Sequence, residues 1–164
     1  MEIRQATLDD LEAIAELRLR AKACEREYST SLRPIEDCRD RYLSYLRNDL
    51  TRDGRAVFVA FEGGEPVGII TGRIHTTLLI RVHRKQGHMS SLYVAPEHRK
   101  QGAAVGLVEA LLGWFRERGV LEIRLAVHSG NEAAKKLLRA LGFEEYAVEM
   151  TRRLPPAGDQ SSGG

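Results

Sequence analysis

An α/β fold, a mixed sheet of about seven strands flanked by about four helices, is what this sequence predicts. Three observations carry that reading. Apolar residues recur at helical spacing in four stretches, they alternate or run together over seven short ones, and the two kinds interleave as β-α-α-β-β-β-α-β-α-β-β. Neither kind of element can bury its apolar side alone, so the order implies one sheet covered by helices.

The elements follow in order. Ile3 to Ala6 is short enough for an edge or first strand. Thr7 caps a helix with Asp10 in the capping-box position, and Leu8, Leu11, Ile14, Ala15 and Leu17 form its apolar face. A polar gap, Glu25 to Arg33, precedes a second helix that Pro34 can open, with Ile35, Cys38, Tyr42, Tyr45, Leu46 and Leu50 at helical spacing until Asp53-Gly54. Val57 to Phe61 and Val67 to His75 form a hairpin about the Glu62-Gly63-Gly64-Glu65 turn, and Gly87 to Val94 is the next strand. A helix burying Val105, Val108, Leu111, Leu112 and Phe115 runs to Gly119. Leu121 to Val127 alternates as a strand. Asn131 to Leu141 is a helix with Ala134, Leu137, Leu138 and Leu141 inside and Gly142 at its C′ position. Phe143 to Tyr146 and Val148 to Leu154 close the sheet. No internal repeat or linker divides residues 1–154, so they read as one domain, and 155–164 as a flexible tail with nothing to bury.

Composition excludes several classes. With 164 residues the chain can bury a full core. Lys and Arg number 25 against 23 for Asp and Glu, a charge near +2 that gives no basis for nucleic-acid binding. Basic residues do cluster at Arg81-Val82-His83-Arg84-Lys85, which reads as a solvated loop. No apolar run approaches the roughly 18 residues of a membrane span, and no signal-peptide core is expected at the N-terminus. Cys24 and Cys38 stand in no CxxC or CxxH spacing, so no metal is expected and both read as idle thiols in a reducing cytoplasm.

The chemistry concentrates where the strand ending Leu92-Tyr93-Val94 runs through Ala95-Pro96-Glu97-His98-Arg99-Lys100-Gln101-Gly102 into Ala103-Ala104 and a helix. The first N–H groups of a helix have no partner inside it, and the helix dipole adds roughly half a positive charge there. Arg99 and Lys100 add two more charges, and Gly102 removes a side chain where an anion must approach. The combination suits a diphosphate. The pattern Arg99-x-x-Gly102-x-Ala104 after Val94-x-Pro96 resembles the pyrophosphate-binding motif of the GNAT superfamily of N-acetyltransferases. Further on, Asn131-x-x-Ala134-x-x-Leu137-Leu138-x-x-x-Gly142-Phe143 is similar to that superfamily's second signature, in which the helix cap can also offer an amide to a ligand. The element order matches as well, over about residues 1–154.

The resemblance implies a GNAT fold with a mostly antiparallel sheet, acetyl-CoA as co-substrate, and an enzyme acetylating a primary amine of a small molecule or lysine-like acceptor. It implies that Arg99, Lys100, Gln101, Gly102, Ala103 and Ala104 hold the pyrophosphate, with Asn131 beside them. Leu92, Tyr93 and Val94 would pair with the pantetheine arm, and the Val94 N–H would polarise the thioester. An amine of pKa about 10 needs a base, and His88 stands where some members place one. Strand alternation puts His88, Ser90, Leu92 and Val94 on one face. His75, His83, His98 and His128 are weaker candidates.

Two departures matter. Leu138 replaces the tyrosine that commonly protonates the leaving thiolate, and Ala126 fills the position of the glutamate base of the peptide N-terminal branch. A thiol of pKa near 8.5 leaves without an acid, so transfer survives the first change. Acceptor recognition falls to the first two helices and the last strands, through Glu25, Glu27, Tyr28, Glu36, Asp37 or Tyr146. The resemblance also allows a homodimer. A non-catalytic acyl-CoA-binding module with the same fold is the alternative.

Overall fold

The computed structural model describes residues 1–26, 39–78, 82–152 and 154. Its elements are β1 (Glu2–Gln5), α1 (Leu11–Glu25), α2 (Arg39–Thr51), β2 (Arg55–Glu62), β3 (Glu65–Thr76), β4 (Lys85–Val94), α3 (Ala103–Glu117), β5 (Glu122–Arg124) and α4 (Glu132–Ala140). The five strands form one sheet in the order β1-β2-β3-β4-β5, antiparallel except for the parallel pair β4–β5. This is the mixed, mostly antiparallel sheet that the sequence predicts. The start of the second helix at Pro34 and the candidates Glu27, Tyr28, Glu36, Asp37 and Cys38 lie outside the described residues.

Local chemistry explains the boundaries. The Asp10 carboxylate accepts the Thr7 N–H at 2.8 Å, the capping-box bond, and pairs with Arg4 at 2.8 Å through both oxygens. Gly63 and Gly64 turn the β2–β3 hairpin with φ of 59° and 87°, both in the left-handed region that two-residue hairpins require.

The two faces of the sheet carry separate cores. On one side α3 packs Leu107, Val108, Leu111 and Phe115 against Ala60, Ile70 and Met89, with Leu138 of α4 at the margin. On the other, Leu11, Ile14, Leu17 and Ala21 of α1 and Leu46 of α2 cover Val57, Val59, Ile69 and Tyr93. Three expected core positions are exposed instead: Leu8, Tyr45 and Val105. Leu8 falls in the 3₁₀ turn Leu8–Asp10 ahead of α1 rather than on the helix, and Tyr45 and Val105 lie on the outer sides of α2 and α3. Leu107, passed over in the sequence, is fully buried in place of Val105.

Two corrections concern the C-terminal part. The strand expected over 121–127 pairs only at Glu122–Arg124, and no ladder forms over the described residues of 143–154. Tyr146, Val148 and Met150 keep their strand-like alternation yet are exposed at 73%, 87% and 90%. Alternation supplies one apolar side, but a strand also needs a neighbouring backbone edge and a surface to cover. Among the described residues its contacts include Phe143 against the α3-side core, Glu145 paired with Arg139, and Tyr146, whose ring lies 4.2 Å from the Arg124 guanidinium carbon.

Candidate active site

A break in strand pairing opens the centre of the site. β4 pairs with β5 only from Gln86 to His88, so from Met89 to Val94 its β5-facing edge has no strand partner among the described residues. The Ala95 N–H donates to the Val67 carbonyl at 2.9 Å, on the β3 side. Successive N–H groups alternate sides along a strand, so Leu92 and Val94 present theirs to the open edge.

This edge leads into the loop before α3. A short 3₁₀ turn, Pro96–His98, is followed by Lys100 at φ 61° and Gly102 at φ 85°. The first bond within α3 runs from the Gly106 N–H to the Gly102 carbonyl at 3.0 Å. The N–H groups of Ala103, Ala104 and Val105 therefore have no acceptor inside the helix. A Cβ at Gly102 would meet nothing within 4 Å, so no side chain of the protein fills the space at this position. The Arg99 Nε donates to the Val94 carbonyl at 2.9 Å, which ties this arginine to the end of β4. Lys100 is exposed. At α4, the Asn131 Oδ1 accepts the Ala134 N–H at 3.1 Å. Its acceptor atom is thus committed to the cap.

A bulge reorders the faces of β4. Thr71 pairs with Ser90 but Ile69 with Tyr93, so β4 carries one extra residue there, and Ser91 takes φ 57°. His88, Ser90 and Tyr93 consequently face α1, while Leu92 and Val94 turn to α3. The expected sharing of one face by His88, Ser90, Leu92 and Val94 is corrected on this point. Simple alternation fails across one inserted residue.

His88 is partly buried opposite Arg73, with its Nδ1 buried and without a hydrogen-bond partner. Burial first, then the charges of Arg73 and His75, holds its imidazole below the ordinary histidine pKa. It is neutral at pH 7 and able to take a proton. Four residues separate it from Leu92, roughly 13 Å of strand.

A family model for the acetyltransferase (GNAT) family matches residues 15–143. The chain belongs to the GNAT family. An uncharacterised N-acetyltransferase of Archaeoglobus fulgidus is 31% identical to this GNAT protein over 166 residues, covering 99% of each chain. N-acetyltransferase family 8 member 2 of Rattus norvegicus is 31% identical over 59% of this chain, which spans 43% of that relative. Among solved structures, AAC(6′)-Iy bound to the bisubstrate analogue CoA-S-monomethyl-acetylneamine has a TM-score of 0.74, 23% identity, and coverage of 94% of this chain and 97% of its own. That likeness shows a shared fold.

Within this GNAT frame Leu138 is a core residue, 6% exposed and packed with α3. The other histidines are dispersed. His98 pairs with Glu62 at 2.6 Å through Nδ1, His75 stands edge-on to His88 at 6.3 Å between ring centroids, and His83 and His128 lie elsewhere. Sequence reasoning passed over Arg18. It sits in the apolar stripe of α1, four residues after Ile14, and is 8% exposed. Its guanidinium reaches the Thr71 Oγ1 at 3.5 Å, and that hydroxyl lies 2.8 Å from the Ser90 Oγ. A charge interrupting an apolar helical stripe was the available signal.

Proposed function

We propose that this GNAT protein transfers an acetyl group from acetyl-CoA to a primary amine of a small molecule or lysine-like acceptor, by direct attack on the thioester. The observation that carries this reading is the unpaired edge of β4 from Met89 to Val94, which ends on the Gly102 loop. A pantetheine arm has amides that pair like a strand, and this edge presents the N–H groups of Leu92 and Val94 to it. The pyrophosphate would lie over Ala103, Ala104 and Val105, with Lys100 and Gln101 alongside. Gly102 carries no side chain and has no neighbour within 4 Å of a Cβ, which leaves room for a diphosphate to approach the main chain. The Asn131 amide nitrogen is left for a polar contact beside this loop.

In the reaction the amine nitrogen attacks the thioester carbon, and the oxyanion forms against a main-chain N–H. The Val94 N–H, on the open edge, remains the expected oxyanion donor, and the Leu92 N–H on the same edge stands nearer the bulge and nearer His88. Roughly 13 Å of strand excludes both direct contact and a single bridging water between His88 and an amine held at Leu92, so in this proposal the amine proton leaves through a chain of several waters that ends on neutral His88. Collapse breaks the carbon–sulfur bond. With Leu138 buried, the thiolate takes its proton from solvent, as a leaving group of pKa near 8.5 can. The two cysteines, in no redox or metal spacing, favour a cytoplasmic setting for this reading.

Calorimetry with coenzyme A, followed by thiol release over polyamines, aminoglycosides, amino acids and peptide N-termini, tests it. Micromolar binding with release for at least one amine class is expected. Binding without release from any amine would return the protein to a non-catalytic acyl-CoA module. Absence of binding would overturn both.

A further inference from the structure

We infer that Arg18 recognises a carboxylate on the acceptor, so that the substrates are amino-carboxylates rather than polycationic amines. The inference rests on the transferase reading above and names its substrate class.

Arg18 is a guanidinium more than nine-tenths buried, and no carboxylate lies within ion-pair distance of it among the described residues. Its Nε has no hydrogen-bond partner. What it does have is weak. The Thr71 hydroxyl is at 3.5 Å, the outer limit of a hydrogen bond, and the Tyr42 ring centroid is at 5.6 Å, the outer range of a cation–π contact. A buried cation left in this state is costly, and an anion that completes its hydrogen bonds relieves the cost.

The position is as telling as the burial. Thr71 links Arg18 to Ser90, immediately before the bulge, between His88 on one side and the open edge at Leu92 on the other. On this inference a carboxylate held at Arg18 keeps an amine a few bonds away on the side of Ser90, toward the edge where the thioester would enter. Tyr42 of α2 lies against Arg18, its ring centroid 5.6 Å from the guanidinium carbon.

The surrounding charge agrees. On this face of the sheet Arg73, His75, His88 and Arg124 accompany Arg18. The carboxylate of Glu122 next to them is held by Arg124 and Gln86, each at 2.7 Å. Glu12 and Glu16 of α1 turn outward to Arg39, Glu25 pairs with Lys22, and Asp49 of α2 pairs with Arg55. Among the described residues this charge balance attracts an anionic group and disfavours a polycation.

The test uses pairs of amines that differ only by a carboxylate: lysine against cadaverine, and phenylalanine against phenethylamine. In thermal-shift titration without coenzyme A, the wild-type chain should be stabilised by at least one carboxylate member and by neither decarboxylated one. Arg18→Met should abolish that stabilisation, keep the coenzyme A affinity of the wild type, and be no less stable when free of ligand. In turnover, Arg18→Met should raise KM for the carboxylate acceptor at least about tenfold with a smaller change in kcat, and Arg18→Lys should restore part of it. Equal response to both members of each pair, or an unchanged KM in Arg18→Met, overturns the inference. Loss of coenzyme A binding by the wild type would instead overturn the transferase reading, while the thermal-shift arm still decides the role of Arg18.

Discussion

The proposed chemistry turns on two single residues, His88 and Gly102. With its cation disfavoured by burial and by Arg73 and His75, His88 stays neutral to lower pH than a free imidazole. The acid limb of kcat/KM should therefore fall below the ordinary histidine value of about 6.5, and His88→Gln should remove that limb from the pH–rate profile. The sign for stability is fixed by the same shift. Below about pH 6.5 the unfolded chain takes up a proton that the folded one refuses, so this contribution is present above that pH and lost as pH falls. At Gly102 a glutamate meets open space but brings a negative charge and an L side chain to φ 85°. Gly102→Glu should weaken coenzyme A binding at least about tenfold, or roughly 1.4 kcal/mol, by calorimetry. Gly102→Ala carries the backbone strain without the charge and should lose less. Both residues stood out in the sequence, His88 by its place on a strand and Gly102 by its spacing from Arg99. The buried Arg18 did not, because helical periodicity ranks positions without showing what lies opposite them.

The bulge in β4 is the decisive feature among the elements. One extra residue, Ser91 at φ 57°, turns Tyr93 toward α1 and sends Leu92 and Val94 to α3. That conformation is strained for an L residue, and more so for a β-branched one. Ser91→Val should cost about 1–2 kcal/mol in urea unfolding, whereas Ser91→Gly should be neutral or stabilising. The strand itself was legible from its apolar run. The bulge was not, because Ser90-Ser91 carries no glycine to mark it. The pairing of β5 over three residues was equally hidden, since Leu121 to Val127 alternates throughout while only its first part meets β4. Yet that short pairing opens the edge on which the proposed transfer depends.

For the molecule as a whole, two helical layers grip one sheet, and close packing favours small residues where α3 presses down. A Cβ on Gly72 would lie 2.5 Å from the Leu111 Cδ1 and 3.0 Å from the Phe115 Cζ. Gly72→Ala should therefore destabilise the fold by about 1–3 kcal/mol, read as a lowered Tm, while leaving coenzyme A affinity intact. Element order as far as α4, the mixed sheet and the glycine loop before α3 followed from the sequence by itself, because apolar period, caps and turn glycines are local properties of the chain. Tertiary structure alone decided which side of β4 each side chain occupies, where β4 and β5 part, that the chain after α4 finds no strand partner among the described residues, and that Arg18 is shut in beside Thr71 and Ser90. Those outcomes depend on register and on what packs opposite, and neither is written in the spacing of any single segment.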